Sequence, residues 1–410
     1  MKILFVSYFF PPYAHATAVE RTVLIIRHLY EMGHEIRVIT ARNYTFFQRD
    51  PSYLKYIPEG IKVARPSALE PSTLFARSGA SSGTSKRLFR NFLWPDSRVF
   101  WLANALPSGI RFVRSFKPDI VVSIAPPYTD LLLGYLIGKR FHIPHVVDLL
   151  DPWSEDLYGM YPRWWQKELT FFFEEIILKS ARGVVVATYP MKWRLLERYK
   201  FLRPEKVENI TFGIIKENAE KIGGIDYSLP FTVLYLGTLQ GGHKNPSGFI
   251  RAFAKFLKLH TDARLKIAGN VEGEVRNFIE ENLPKEKVEF LGYIKNEDVY
   301  KIVNGAHVLW LLISRAPWFE LVMPAKTISY LGFLRPILAT VPEGWTAEFL
   351  RKMGVTVVDN ENEAGILEAL ETLYHDYENR DLKLPKRELI GEFEYSKIAQ
   401  KYEKFLKTAL

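Results

Sequence analysis

The sequence contains no cysteine, and several other features that define functional classes are also missing. Without cysteine the chain has no disulfide, no thiolate nucleophile and no metal site that needs sulfur ligands. Its nine histidines form no H-E-x-x-H or H-x-H cluster, so the residues predict no metal site, and we expect no cofactor. Any chemistry that the protein carries out must therefore rely on nitrogen and oxygen groups.

Long uninterrupted apolar runs are missing as well. The most apolar stretch, residues 120–138, is broken by Pro126, Pro127 and Asp130, so we predict no transmembrane helix. The short apolar segment 3–10 leads directly into an amphipathic helix, which favours a first strand over a secretion signal. We therefore expect a cytoplasmic protein, which could also bind the inner face of the membrane peripherally.

Positive charge is concentrated in the first half of the chain. Residues 1–212 hold 29 Lys and Arg against 19 Asp and Glu, whereas residues 213–410 hold 26 against 27. Such asymmetry favours an acidic partner: an anionic membrane surface, a phosphorylated acceptor or nucleic acid. A basic surface without a specific partner explains the same counts.

Strand and helix patterns alternate along most of the chain. The series begins with an apolar strand at 3–7, an amphipathic helix that ends near Gly33, and a second strand at 35–40. This order predicts an α/β protein with parallel sheets. At 410 residues the chain is long enough for two doubly wound, Rossmann-like domains. We expect the domains to face a central cleft at the carboxyl ends of their strands.

A polar, glycine-containing segment marks the boundary between the domains. We predict a first domain at residues 1–215, a linker at 216–230, a second domain at 231–392, and a final helix at 393–410 that could pack back on the first domain. Residues 44–93 are rich in proline and serine and interrupt the alternation.

Aromatic and basic residues are interleaved between residues 86 and 114. Trp94 and Trp101 lie among lysines and arginines, which is the composition of a peripheral membrane surface. The alternative, which we favour, is that Phe89, Phe92 and Trp101 pack inward while the arginines face water. The same two interpretations apply to Trp164 and Trp165, and there too packing is the expected role.

The stretch 323–339 is the strongest candidate for a ligand site. Pro324 suits a first helical turn, and Lys326, Thr327 and Ser329 follow it at once, before a buried strand. A helix start offers N–H groups and a positive dipole end to an anion, so a diphosphate would fit there. An ordinary helix start, with Lys326 pointing to water, is the alternative.

Two aspartates follow another predicted strand. Asp148 and Asp151 lie at its carboxyl end, the position from which α/β enzymes project catalytic groups. Asp151 immediately precedes Pro152 and is the better candidate for a cleft residue, whereas Asp148 suits a loop-capping role equally well.

Five motifs in a fixed order carry a family resemblance. They read Pro11-Pro12…Arg21, Ser123…Pro126-Pro127, Asp148-Leu-Leu-Asp151-Pro-Trp153, Gly237…Lys244-Asn245 and Pro324-Ala-Lys326-Thr-Ile-Ser329-Tyr330-Leu331. With these motifs the chain resembles glycosyltransferase family 4, the retaining, nucleotide-sugar-dependent enzymes of the GT-B fold. The resemblance covers nearly the full length of the chain.

The resemblance implies a role for each motif. The second domain would bind a nucleoside diphosphate sugar, expected to be uridine-based, and Lys244 would neutralise the leaving diphosphate. Asp151 would touch the sugar or the acceptor hydroxyl. The donor-binding residues would be Gly237, Thr238, Lys244, Asn245, Pro324, Lys326, Thr327 and Ser329, and the residues on the sugar and acceptor side would be Pro12, His15, Thr17, Arg21 and Asp148. Metal ions are usually dispensable in this fold.

The chain departs from the family pattern at several positions. The family's glycine pair after the two prolines is replaced by residues 14–18, where His15 and Thr17 could donate hydrogen bonds instead. The family's glutamate that grips the nucleotide ribose falls at Ser329, which can make fewer hydrogen bonds.

The resemblance favours one function and leaves two alternatives. We expect a metal-independent hexosyltransferase that moves a sugar with retention to a hydroxyl acceptor, such as a polyprenyl-phosphate-linked glycan, and that binds no nucleic acid. The first alternative is a non-catalytic paralogue that binds nucleotide sugars, and the second is a sugar epimerase of the same fold.

Overall fold

The computed structural model describes residues 1–12, 16–42, 51–68, 91–157, 159–240, 245–295, 298–316 and 319–410, with backbone only for 16 and 17. The chain divides into two compact units, one formed by Met1–Phe212 with Tyr395–Leu410 and the other by Gly213–Glu394. Segment 216–230, predicted to be a linker, falls within the second unit. No helix in these described ranges is long and apolar enough to cross a membrane.

The first unit is built on a seven-stranded parallel sheet with strand order β3-β2-β1-β4-β5-β6-β7. Its strands are β1 (Lys2–Val6), β2 (Glu35–Ile39), β3 (Lys62–Ala64), β4 (Ile120–Ala125), β5 (His145–Leu149), β6 (Gly183–Val186) and β7 (Val207–Asn209). Because β1 pairs with both β2 and β4, the strand order reverses at β1. Open α/β sheets bind ligands at such a reversal.

Helices follow the strands of the first unit. They are α1 (Ala16–Glu31), α2 (Leu102–Phe116), α3 (Thr129–Phe141), α4 (Trp164–Ser180), α5 (Tyr189–Arg198) and, from the end of the chain, α14 (Tyr395–Thr408). Short 3₁₀ turns lie at Pro51–Tyr56, Val99–Trp101 and Pro204–Lys206. The last helix packs on α1, so it belongs to the first unit by contact although it ends the chain.

The second unit is built on a six-stranded parallel sheet with order β10-β9-β8-β11-β12-β13. Its strands are β8 (Thr232–Leu236), β9 (Arg264–Ala268), β10 (Val288–Gly292), β11 (Val308–Leu312), β12 (Ile337–Thr340) and β13 (Thr356–Val358). The strand order reverses at β8, which pairs with both β9 and β11.

The helices of the second unit alternate with these strands. They are α6 (Lys216–Ala219), α7 (Ser247–Leu259), α8 (Gly273–Asn282), α9 (Val299–Asn304), α10 (Lys326–Gly332), α11 (Trp345–Lys352), α12 (Glu363–Glu378) and α13 (Arg387–Ile390). Two 3₁₀ turns lie at Lys285–Lys287 and Gly391–Phe393. Phe249, Phe253 and Phe256 of α7 stack into a core with Trp310 of β11 and Phe231, and all five side chains are buried.

The two doubly wound sheets confirm the α/β fold predicted from the sequence. The continuous apolar runs became central strands such as β4, whose six residues are all buried because helices cover both faces. The patterns missed α2 and the short edge strands β3 and β7. Trp101 packs inward, as favoured, with its ring 5.2 Å from that of Tyr8. The same expectation is wrong for Phe92, which is 70% exposed, and Phe89 lies outside the described residues.

Candidate functional site

The ends of three strands in the second unit form a continuous edge of backbone. Gly237 follows β8 with φ +129° and donates its N–H to Ala268 O at 2.8 Å. Gly269 follows β9 with φ +141° and donates to Gly292 O at 2.7 Å. A Cβ on Gly269 would lie 2.1 Å from Gly237 O, so only glycine fits there. This close packing fixes the start of the loop that contains Thr238.

Lys326 reaches this edge. Its Nζ lies 3.4 Å from the Tyr235 hydroxyl and 5.0 Å above the centre of that ring. The Tyr235 hydroxyl also donates to Thr238 O at 3.2 Å, and burial raises its pKa. Lys326 is half-buried, so its side chain does not point only to water. The Lys326 cation therefore lies at the carboxyl end of β8, next to the tyrosine whose hydroxyl bonds to Thr238.

Helix α10 begins later and is shorter than the sequence pattern predicted. It spans only seven residues, and Pro324 lies before it rather than in its first turn. The N–H groups of Thr327 and Ile328 donate to Pro324 O at 2.9 Å and to Ala325 O at 3.1 Å. These two donors are already bonded, so the helix start offers an anion fewer N–H groups than expected. Lys326 becomes the main positive group of this segment.

Tyr330 anchors α10 to the sheet. Its hydroxyl accepts from Leu236 N at 2.8 Å and lies 3.1 Å from Leu236 O and 3.2 Å from Trp310 O. Burial, reinforced by Tyr235, raises the Tyr330 pKa well above its usual value. Ser329 directs its hydroxyl back to Ala325 O at 3.4 Å, and the buried Thr327 hydroxyl has no partner.

A hydrogen bond to the segment after β11 fixes the loop before α7. Asn245 N donates to the hydroxyl of Ser314, which follows β11, at 3.0 Å. The Asn245 side chain accepts from Ser247 N at 3.0 Å and so forms the turn into α7. Lys244, predicted to be catalytic, lies outside the described residues.

Arg21 and Asp148 of the first unit form a buried ion pair. Arg21 NH1 lies 2.8 Å from Asp148 Oδ2, and both side chains are completely buried. Arg21 also donates to Ile210 O at 2.9 Å, and the Tyr402 hydroxyl of α14 donates to Asp148 at 2.8 Å. Burial would lower the Arg21 pKa, but Asp148 and Tyr402 raise it above its usual value. This network gives both residues structural partners within the first unit, and their role on the sugar and acceptor side stays a prediction.

The other residues predicted on the acceptor side are only partly described. Asp151 follows β5 and is half-buried, in the loop that begins with the bond from Leu150 N to Ala125 O at 2.8 Å. Pro12 is half-buried next to Pro11, whose carbonyl accepts from Arg65 at 2.5 Å. His15 lies outside the described residues, and Thr17 is described only as backbone of α1.

Sequence reasoning missed several residues at these strand ends. Tyr235, Tyr330 and Ser314 organise the lysine and the loops, and Arg315 presents a mostly exposed guanidinium 3.6 Å from Asp359. Ser314 and Arg315 could have been predicted as site residues, because they are polar residues that follow a buried strand. Within the described ranges, no group of three or more His, Asp or Glu side chains could hold a metal ion.

Two protein-family models match separate parts of the chain. Residues 17–213 match the glycosyl transferase 4-like domain, and residues 230–376 match the model described as glycosyl transferases group 1. Each match lies largely within one of the two compact units. No curated protein is similar enough in sequence to be matched to the chain.

Solved structures share the fold over essentially the whole chain. Sucrose-phosphate synthase from Thermosynechococcus elongatus is 12% identical, with 99% of this chain and 98% of that chain covered and a TM-score of 0.67. HepE from Anabaena, in complex with UDP, is 13% identical, with 100% of both chains covered and a TM-score of 0.66. UDP-GlcNAc 2-epimerase from Neisseria meningitidis, bound to UDP-GlcNAc, is 14% identical, with 99% and 100% covered and a TM-score of 0.60.

Proposed function

We propose that the chain transfers a hexose-type sugar from a UDP-linked donor to a hydroxyl acceptor with retention. Two glycosyltransferase family models match residues 17–213 and 230–376, and the two-sheet α/β fold is that of GT-B structures, which supports the proposal. The observation that carries this proposal is the cation of Lys326 beside Tyr235 and Thr238, at the carboxyl end of β8. That strand is where the order of the second sheet reverses, the usual ligand position in open α/β sheets.

The choice of donor rests on chemistry at this edge and on the relatives. A diphosphate needs cations and backbone donors, and Lys326, the exposed Arg315 and the loop containing Lys244 supply candidates. HepE was solved with UDP, which supports uridine as the base. The acceptor we favour is a lipid-linked glycan, because a phosphorylated acceptor suits the basic first half of the chain.

The proposed mechanism uses the donor's own phosphate. The acceptor oxygen forms a bond to the anomeric carbon on the face from which the diphosphate leaves, and its proton passes to the departing β-phosphate oxygen. Lys244 and Lys326 neutralise the charge that grows on the leaving diphosphate. Asp151 positions the sugar or the acceptor hydroxyl, and no metal ion takes part.

Nucleotide binding tests the proposal directly. UDP at a hundred times its Kd should stabilise the protein by about 2.7 kcal/mol, measured as a rise in Tm, whereas uridine should give a much smaller rise at equal concentration. Lys326→Ala should remove most of the difference between UDP and uridine because it removes a phosphate contact. Lys258→Ala, an exposed lysine on α7, is the matched control and should leave the difference unchanged.

The contrary results are equally specific. No change in Tm with UDP or GDP at millimolar concentration would exclude a nucleotide-sugar enzyme. An unchanged response to UDP in Lys326→Ala would remove that lysine from the donor site. If Lys244→Ala keeps full turnover, Lys244 has no catalytic role.

A sugar epimerase is the second candidate, because the Neisseria meningitidis epimerase shares the fold at full coverage. Incubation with UDP-GlcNAc and no acceptor separates the two activities. Formation of the 2-epimer without an acceptor would favour the epimerase, whereas acceptor-dependent release of UDP would favour the transferase. UDP binding with neither reaction, over a panel of nucleotide sugars and acceptors, would favour a binding module.

A further inference from the structure

Helix α4 turns polar residues inward. Gln166, Thr170 and Glu174 recur at intervals of four and are all buried. Each has partners: Gln166 donates to Leu93 O at 2.9 Å, Thr170 accepts from the Trp94 indole at 2.9 Å, and Glu174 accepts from the Tyr199 hydroxyl at 2.6 Å. Burial raises the Glu174 pKa, as expected for a carboxyl group placed inside. The inner face is therefore a satisfied polar network, which is unusual for a surface helix.

The outer face of the same helix is aromatic. Trp164 is 77% exposed, Phe172 is 56% exposed and Phe171 is 39% exposed. Phe92, which is 70% exposed, precedes the Leu93 carbonyl that binds Gln166, so it lies beside the same helix. We call these four side chains the aromatic face. Trp164 was expected to pack inward, and the structure shows the opposite.

This arrangement needs an explanation, because exposed aromatic rings are costly in water. Burying a ring of this size is worth about 1.5–3 kcal/mol, and α4 forgoes that stabilisation in water for three rings, with Phe92 beside them as a fourth. The face projects from a helix rather than lining a pocket. Projecting tryptophan and phenylalanine side chains with nearby cations are typical of the boundary between lipid and water.

The net charge of the first unit helps to decide which partner the aromatic face binds. The first unit holds 33 Lys and Arg against 20 Asp and Glu, whereas the second holds 22 against 26. Arg163, which caps the start of α4, and Lys167 on the helix are exposed, and the Arg198 guanidinium lies 5.3 Å from the centre of the Phe171 ring. Two copies of this chain meeting through the face would bring two strongly basic units together, which disfavours a dimer. The face itself also carries the exposed Glu168, four residues from both Trp164 and Phe172, and Glu175, which pairs with Lys179. The net positive charge of the whole unit is therefore what favours an anionic surface.

We propose that the aromatic face of α4 docks the protein on an anionic bilayer, with Trp164, Phe172 and Phe92 inserted at the headgroup level. Arg163 and Lys167 contact acidic lipid headgroups around the rings, whereas Arg198 keeps its ion pair with Glu155. The docking needs no catalysis, so it is independent of the donor site and can fail or succeed without affecting the proposed transferase activity.

The test is flotation of the purified full chain with lipid vesicles. The wild type should bind vesicles of phosphatidylcholine with about 30% phosphatidylglycerol, and binding should fall as salt rises. Trp164→Ser with Phe172→Ser should reduce the bound fraction about tenfold or more, because two inserted rings are lost. Trp193→Ser, an exposed tryptophan on α5, is the matched control and should bind as the wild type does.

Folding and nucleotide binding keep the outcomes separate. The double variant should keep the Tm of the wild type and its response to UDP, since both side chains are exposed. Three results would overturn the proposal: equal binding to pure phosphatidylcholine, full binding by the double variant, or a wild-type dimer that the double variant converts to a monomer. The last result would show that a second copy covers the aromatic face.

Discussion

The first helix carries two arginine ion pairs that differ in burial. Arg21 and Asp148 are wholly buried, whereas Arg27 and Glu31 keep 26% and 46% of their side chains exposed. Breaking a buried pair leaves an uncompensated charge in the interior, but an exposed pair exchanges its partner for water. The exposed pair of Arg27 therefore serves as a control for the buried pair of Arg21 on the same helix.

We predict that Arg21→Ala lowers the free energy of unfolding by about 3–5 kcal/mol, because Asp148 remains buried without its cation. Arg27→Ala should cost less than about 1 kcal/mol. Denaturant titrations of both variants provide the measurement. Equal costs for the two substitutions would contradict the assignment of Arg21 as a structural group.

His145, the first residue of β5, is buried. Its Nε2 lies 2.7 Å from the Ser123 hydroxyl, and burial lowers its pKa from 6.5 to about 3. The folded state therefore keeps this histidine neutral, while the unfolded chain binds a proton below about pH 6.5. The stability due to the neutral group is full above that pH and is lost as the pH falls towards the folded pKa.

We predict that the free energy of unfolding falls by about 2 kcal/mol between pH 6.5 and pH 5 because of His145. Whatever the stability of His145→Gln relative to the wild type, this part of the pH dependence should disappear in the variant. His375→Gln, an exposed position on α12, should keep the wild-type slope. If His145→Gln and the wild type have parallel curves, the histidine is not the group that titrates.

At the level of elements, the sequence pattern predicts a strand correctly when all residues of that strand are in the same environment. Strand β4 could be predicted because five of its six residues are apolar and all six are buried. Helix α4 could not be understood from its pattern, because its inner residues bond to Leu93, Trp94 and Tyr199, which are distant in the sequence. Lys326 could be predicted as a candidate, but its neighbour Tyr235 depends on how α10 meets β8.

The glycine contact between β8 and β9 gives a prediction for these elements. Gly269→Ala should cost about 2 kcal/mol or more and weaken UDP binding, because a Cβ would collide with Gly237 O and the φ is unfavourable for alanine. Gly273→Ala at the start of α8 has no atom within 4 Å of the new Cβ and should change stability by less than about 0.5 kcal/mol. Denaturation and UDP titration test both variants. A neutral Gly269→Ala would show that the strand ends can separate freely.

On the scale of the whole molecule, the chain returns to its first unit at the end. Helix α14 buries Tyr402, Leu406 and Ala399 completely, and Tyr402 bonds to Asp148 of β5. A polar segment in the sequence indicates where a linker could lie. It does not indicate which sheet the residues on either side of it contact. The unit boundary at residues 212 and 213 follows from contacts instead.

We predict that deleting residues 395–410 exposes α1 and β5 to hydrogen exchange, because their packing partner is lost, while β8 and β11 keep their protection. Mass spectrometry of peptides from both units measures this. Tyr402→Phe is the milder control and should cost only about 1 kcal/mol, since it removes one hydrogen bond. Unchanged protection in α1 after the deletion would show that the first unit does not need its last helix.

The glycines that end β8, β9 and β10 have a consequence for engineering. Gly237, Gly269 and Gly292 all have positive φ, and Gly269 donates its N–H to Gly292 O while its Cα packs against the Gly237 carbonyl. The packed strand ends therefore extend to the glycines, and the loops of this edge begin after them. A designer who wishes to retarget this protein to another small molecule should graft new loops beyond the three glycines and leave the glycines themselves in place.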